Sequence, residues 1–149
     1  MNDQEELLAR EAIKETKARY CRLLDTKQWH DWGQVFTEDV EMDVGDDIKE
    51  DMGVPSKISG RQAMVDQVRG LVGPARTIHQ VHSSEIDFVS VTEARVVWAM
   101  EDWTTFPDGI DAPFKSVNGL GYYHETYRLE DGFWRIASLR LERLQQIYD

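Results

Sequence analysis

The 149-residue sequence contains a single cysteine, Cys21. One cysteine excludes an intramolecular disulfide and the common zinc-finger spacings. Cys21 falls within an apolar helical pattern, so it reads as a buried structural thiol rather than a nucleophile. That agrees with a reducing compartment. Long apolar runs are also missing, and none approaches the ~20 residues needed to cross a bilayer. The opening MNDQEELLAR is acidic and lacks the basic start and apolar centre of a signal peptide. Together these absences lead to the expectation of a cytoplasmic protein.

Basic residues are in the minority, 17 against 28 acidic ones, for a formal net charge of −11. Such a field repels phosphate backbones and anionic lipid, so neither nucleic acid nor a membrane is an expected partner. The modest acidic run at Asp46, Asp47, Glu50 and Asp51 lacks the glycine and closing glutamate of a calcium loop. It reads as solvated surface. GxGxxG and P-loop motifs are absent, which leaves no sign of a nucleotide or redox cofactor. Cysteine pairs and HExxH are absent as well, so no metal is expected.

What is present fits one domain, residues 1–149, with no internal repeat, low-complexity tract or linker. At this length roughly 70% of the unfolded chain's surface can be buried without a covalent staple. From about Asp3 to Leu24 the residues Leu8, Ala9, Ala12, Ile13, Thr16, Tyr20, Leu23 and Leu24 form one helical stripe, with charges opposite. A short helix from Trp29 to Phe36 and a strand over VEMDV are predicted next. Gly45 to Gly60 reads as a long loop, and a third helix spans about Arg61 to Leu71 before Gly73-Pro74. Four strand-like runs follow, TIHQVHSSEIDFVS, ARVVWAMEDWTTF, SVNGLGYYHETYRL and FWRIASLRLERL. Glu130-Asp131-Gly132 has the composition of a hairpin turn. Helices first and a meander afterwards predict an α+β domain: three N-terminal helices on a curved, mainly antiparallel sheet, leaving a conical cavity.

Strand alternation puts Thr77, His79 and Val81 on one face and His82 on the other, so HQVH is a poor metal chelate. His30 reads as surface, and His124 as either surface or pocket. Asp25 alone reads as an exposed carboxylate in a helix connection. Val96, Trp98, Met100, Asp102, Thr104 and Phe106 share the more apolar face of their strand. A carboxylate ending such a row sits at a cavity mouth or has a buried partner. Trp98, Met100 and Phe106 beside it are candidate substrate-binding residues. Tyr20 lies on the buried stripe, and its hydroxyl needs a partner, from the core or from a substrate oxygen.

Several short motifs in order carry a resemblance. Asp25, Trp29 and Phe36-Thr37-Glu38-Asp39-Val40 come first, then Gly60-Arg61, Thr77-Ile78-His79, and Asp131-Gly132-Phe133-Trp134-Arg135-Ile136. In this pattern the chain resembles SnoaL-like proteins of the nuclear-transport-factor and ketosteroid-isomerase superfamily, over nearly its whole length. The Asp and His pair is similar to the branch containing scytalone dehydratase, bile-acid 7α-dehydratase and hexachlorocyclohexane dehydrochlorinase. The resemblance implies a cone-shaped α+β barrel in which Asp25 and His79 share a pocket as an acid/base pair. It also implies roles for Tyr20 and Asp102. Those relatives carry a polar or basic pocket residue on the last strand, to which Arg140, Ser138 or neither corresponds; Arg140 is taken as a candidate substrate-binding residue. The expected function is a cofactor-independent, dehydratase-like lyase acting on a hydrophobic cyclic, polyketide- or steroid-like molecule. An isomerase or cyclase with the same proton abstraction and a non-catalytic scaffold are the alternatives. A homo-oligomer, dimer or trimer, is expected.

Overall fold

The computed structural model describes residues 1–45 and 55–149. The acidic run at 46–51 lies outside the described residues. The first helix, α1 (Asp3–Asp25), starts on a capping box: the Asn2 side chain accepts from the Glu5 N–H, and Glu5 returns a bond to the Asn2 N–H. Ala9, Ile13, Thr16, Tyr20, Leu23 and Leu24 of the expected stripe are buried. Leu8, in contrast, is 64% exposed. Lys17 takes a place in the stripe instead and is fully buried.

α1 ends in a left-handed turn. Lys27 has φ of 60°, its N–H donates to Leu24 O, and the Gln28 N–H donates to Leu23 O. This crossed pair satisfies the last carbonyls and turns the chain sharply. Asp25 is thereby the last helical residue, fixed over the sheet rather than loose in a connection. The second helix, α2 (Trp29–Gly33), is shorter than the sequence predicts. Val35 and Phe36 are buried as expected, but Phe36 already begins β1 (Phe36–Asp43). The stretch read as loop contains a short strand, β2 (Lys57–Ser59), which pairs antiparallel with β1. α3 (Arg61–Val72) follows as expected.

The remaining strands are β3 (Arg76–Phe88), β4 (Glu93–Thr105), β5 (Ser116–Glu130) and β6 (Phe133–Tyr148). The sheet order is β2-β1-β6-β5-β4-β3, antiparallel throughout except for the β1–β6 pair. The β5–β6 hairpin turns on Asp131 (φ 51°) and Gly132 (φ 82°), the two positive angles of the tight turn that matches strand twist. The result is the predicted α+β cone, a curved, unclosed six-stranded sheet with helices against its concave face. Its core joins Ile13, Trp32, Phe36, Met64 and Ile136, all 0% exposed. Each such side chain contributes roughly 1.5–3 kcal/mol on burial.

Bulges break the alternation at several points, and two of them decide what faces the cone. In β3 the register shifts between Val81 and Ser84, so Thr77, His79 and Val81 face inward before the bulge and Ser84, Ile86 and Phe88 after it. In β6 the shift opposite Thr126 and Tyr127 leaves Ala137 unpaired. Trp134 and Ile136 face inward, then Leu139, Leu141 and Arg143.

Candidate functional site

Asp25 and His79 meet directly. The His79 ring Nδ1 lies 2.6 Å from Asp25 Oδ1, and the His79 backbone N–H donates to Asp25 Oδ2 at 2.8 Å. The Thr77 hydroxyl also donates to Oδ1, at 2.9 Å, and accepts from Lys27 Nζ at 3.0 Å. Asp25 is therefore held by three donors from one strand. Ordered this way it fixes the imidazole plane and favours the tautomer with its proton on Nδ1. The His79 side chain is 11% exposed and that of Asp25 20%. Burial holds the Lys27 ammonium below its ordinary value, with Asp25 opposing that effect.

The other ring nitrogen, Nε2, faces across to β4. Asp102 is the register partner of His79, and its Oδ2 lies 3.7 Å from Nε2. Asp102 has a buried partner that the sequence does not reveal. Arg143 grips both of its oxygens, Nη1 to Oδ1 and Nη2 to Oδ2, each at 2.9 Å. The four side chains thus form one row across the concave face, Asp25–His79–Asp102–Arg143.

His79, Asp102 and Arg143 of this row line a cavity of about 290 Å³, with Asp25 behind His79. Tyr20, Trp32, Phe106, Phe114, Tyr123 and Leu141 are among the side chains that line it. Tyr20 and Tyr123 have phenols held well above the ordinary tyrosine value, chiefly by burial, with Glu125 adding to the effect at Tyr20. Both therefore stay protonated at neutral pH, as neutral hydroxyls able to donate a hydrogen bond. Phe106 packs against Phe114, which packs against Tyr148, so an aromatic cluster edges the cavity.

Of the residues singled out from sequence, Asp25, His79, Tyr20, Asp102 and Phe106 come together here. Trp98 and Met100 do not line this cavity. They face the concave side but are only 3% exposed and pack within the core. Arg140 is displaced too. The Ala137 bulge turns it to the outer face, beside His124 and Asp43 in the strand register, and Ser138 faces outward with it. There Ser138 bonds Thr126 at 2.6 Å and His124 bonds Glu142 at 2.9 Å. That outer face carries a broader recess of about 610 Å³. The smaller inner cavity is the candidate site, because the Asp25–His79 contact opens onto it. His82 is exposed and pairs with Glu101. Among the described residues no three His, Cys, Asp or Glu side chains cluster as a metal site, and no helix is long and apolar enough to cross a membrane.

Comparison with known proteins agrees with this architecture. The Probable cyclase FGR4 of Gibberella zeae is 25% identical over 137 residues, 89% of each chain. A provisionally named scytalone dehydratase of Novosphingobium aromaticivorans superimposes with a TM-score of 0.82 at 23% identity, over 98% of this chain and 91% of that one. The hexachlorocyclohexane dehydrochlorinase LinA-type3 of Novosphingobium barchaimii gives 0.80 at 19% identity, over 99% and 94%. At these identities the structural matches speak to the fold. The family model for the SnoaL-like domain matches residues 5–140, and the chain belongs to that family.

Proposed function

We propose that the protein is a cofactor-independent lyase of the dehydratase type, with His79 as general base. The observation that carries this reading is the 2.6 Å contact between Asp25 and His79 Nδ1, beside a largely apolar cavity. With Nδ1 committed to Asp25, Nε2 is the free basic nitrogen. It would take a proton from a carbon adjacent to an activating group. The C–H electron pair would form the new double bond as the neighbouring C–O bond breaks. The proton now on Nε2 would pass to the departing hydroxide, so that water leaves and the imidazole returns to its starting state. Asp25 balances the transient imidazolium. Tyr20, neutral and at the cavity wall, would donate to the leaving or carbonyl oxygen.

The cavity lies at the small end of the ~300–1,000 Å³ typical of ligand sites. With its aromatic walls it suits a hydrophobic compound of a few fused rings. The curated relative named as a cyclase keeps a second reading alive, isomerisation or ring closure by the same proton abstraction. The close Asp25–His79 contact and the open cavity weigh against a non-catalytic scaffold. We propose self-association as well, with no nucleic-acid or membrane partner. Ile78, Trp103, Tyr122, Leu144 and Ile147 leave apolar surface on the outer sheet face that a second copy would cover.

The test is a panel of cyclic β-hydroxy ketones followed by mass spectrometry. Loss of water is expected from at least one compound, reduced ~10²–10⁴-fold in His79→Gln. Solvent deuterium entering the substrate without loss of water would favour the isomerase. Wild-type turnover by His79→Gln would exclude His79 as the base.

A further inference from the structure

Arg143 and Asp102 sit on strands that are not neighbours. Arg143 belongs to β6 and Asp102 to β4, with β5 between them. To reach Asp102 the guanidinium must cross the concave face of β5. Other inward positions of that strand carry Val117, Tyr123, Glu125 and Tyr127, all buried. Gly119 stands directly beside Asp102 in the β4–β5 register. A Cβ at Gly119 would lie 2.2 Å from Arg143 Nη1, 2.8 Å from Arg143 Cζ and 2.8 Å from Asp102 Oδ1. None of these distances is tolerable, and the first removes the guanidinium from its place. Gly121, two residues on, lets the β6 backbone itself come close: a Cβ there would meet Glu142 O at 1.9 Å and Arg143 Cα at 3.1 Å. Glycine inside a strand costs packing and chain entropy, and it often marks a close approach of other groups.

The Arg143 fork in turn fixes Asp102. With a guanidinium nitrogen on each oxygen, the carboxylate stays 3.7 Å from His79 Nε2, beyond hydrogen-bond reach. We infer that Gly119 is a positioning residue, whose missing side chain gives Arg143 passage to Asp102, and that this pair holds Asp102 off the Nε2 edge of His79. Freed of the fork, the Asp102 carboxylate would close on the ring opposite it. His79 would then lie between two carboxylates, which favours its charged form. The other groups around the ring are Asp25 and Lys27 at the end of α1, Thr77 on β3, Tyr20 on α1, Tyr123 on β5 and Asp111 in the β4–β5 connection. α3 presents Val68, Leu71 and Val72 to the cavity and no charge. The consequence for catalysis rests on His79 being the base; the geometric claim does not.

The test therefore uses the substrate-free protein. Ring-labelled histidines are titrated by NMR, with His79 assigned through His79→Gln. In Gly119→Ala and in Arg143→Gln the midpoint of the His79 titration is expected to rise by about one pH unit or more. An unmoved midpoint in both overturns the inference. Losing the arginine charge can itself raise the midpoint in Arg143→Gln, and a crystal structure of that variant separates the causes. Closure of the Asp102–Nε2 gap to hydrogen-bond distance supports the inference, and an unchanged gap overturns it. If Gly119→Ala does not fold, Gly119→Ala/Arg143→Ala removes the closest clash. Recovery of folding supports the passage; failure beside a folded Arg143→Ala overturns it. Because no substrate is involved, a failed search for turnover leaves this result standing.

Discussion

Two charged clusters lie on the concave face of the sheet, built from similar parts. One is the row Asp25–His79–Asp102–Arg143. The other joins α1 to β5: Lys17 Nζ lies 2.6 Å from Glu125 Oε2, and the Tyr127 hydroxyl donates to Glu125 Oε1 at 2.8 Å. Both Lys17 and Glu125 side chains are 0% exposed. Lys17 also sits over the rings of Tyr20 and Tyr123, at 3.6 and 3.7 Å from their centroids. Burial lowers the Lys17 ammonium from its ordinary value, and Glu125 opposes that effect. The two clusters share those tyrosines as a partition, since Tyr20 and Tyr123 line the cavity while Lys17 and Glu125 do not. The sealed cluster has a partner for its charges and no room for a ligand, so its role is to hold α1 on the sheet. The other has a ring nitrogen left over and space in front of it. Burial of charge alone does not mark a site; an unspent valence facing a cavity does.

The comparison can be broken most sharply at His79. His79→Ala should lower turnover ~10²–10⁴-fold. Its urea midpoint should stay near that of the wild type, because the ring borders a cavity rather than core. Lys17→Met should do the reverse. It leaves Glu125 buried without a countercharge, which costs about 3–5 kcal/mol. Urea denaturation of Lys17→Met/Glu125→Gln should recover much of that loss, since the charge is gone while Tyr127 keeps an acceptor. A double variant no more stable than Lys17→Met would show that the sealed pair does not act as a pair.

A smaller effect concerns Cys21, partly buried between the two regions. Burial raises its thiol from 9.0 to about 11, against the pull of Lys17. The thiolate is the reactive form, and raising the thiol in this way leaves far less of it at neutral pH. Alkylation by iodoacetamide at pH 8 should thus run on the order of 100-fold slower than for a free cysteine. Reaction at the free-thiol rate would mean that the helix–sheet seam opens readily. Smallest of all is Arg140→Ala. It faces the outer surface, so turnover should change by less than about twofold, in line with ordinary surface substitutions. A large loss would bring the outer recess into the site.

The architecture was legible in the sequence because its strongest signals are periodic. The stripe of α1, the alternation of β4 and the Asp131-Gly132 turn can each be read from residue order alone. Asp25 and His79 came from the order of short motifs rather than from their own surroundings. What failed was phase. From Trp134 and Ile136, simple alternation carries Ser138 and Arg140 inward, and the bulge at Ala137 reverses it. The trace was present in the sequence, since the apolar residues jump from Trp134 and Ile136 to Leu139 and Leu141. Following that jump leads to Arg143. Gly119 was visible as well, but its purpose emerges only when a side chain from another strand is seen lying across it. Lys17 was assigned by its charge to the solvent side, although Ile13, Thr16 and Tyr20 flank it at helical spacing. Its partner Glu125 shares the inward face of Tyr123 and Tyr127.

The central claim, that Asp25 commits Nδ1 and leaves Nε2 as the free base, can be tested through the ring nitrogens themselves. Long-range proton–nitrogen correlation spectra of the neutral protein distinguish the two imidazole tautomers. A single His79 tautomer with its proton on Nδ1 is predicted, lost in Asp25→Ala. A proton on Nε2, or a mixture that Asp25→Ala leaves unchanged, would contradict it.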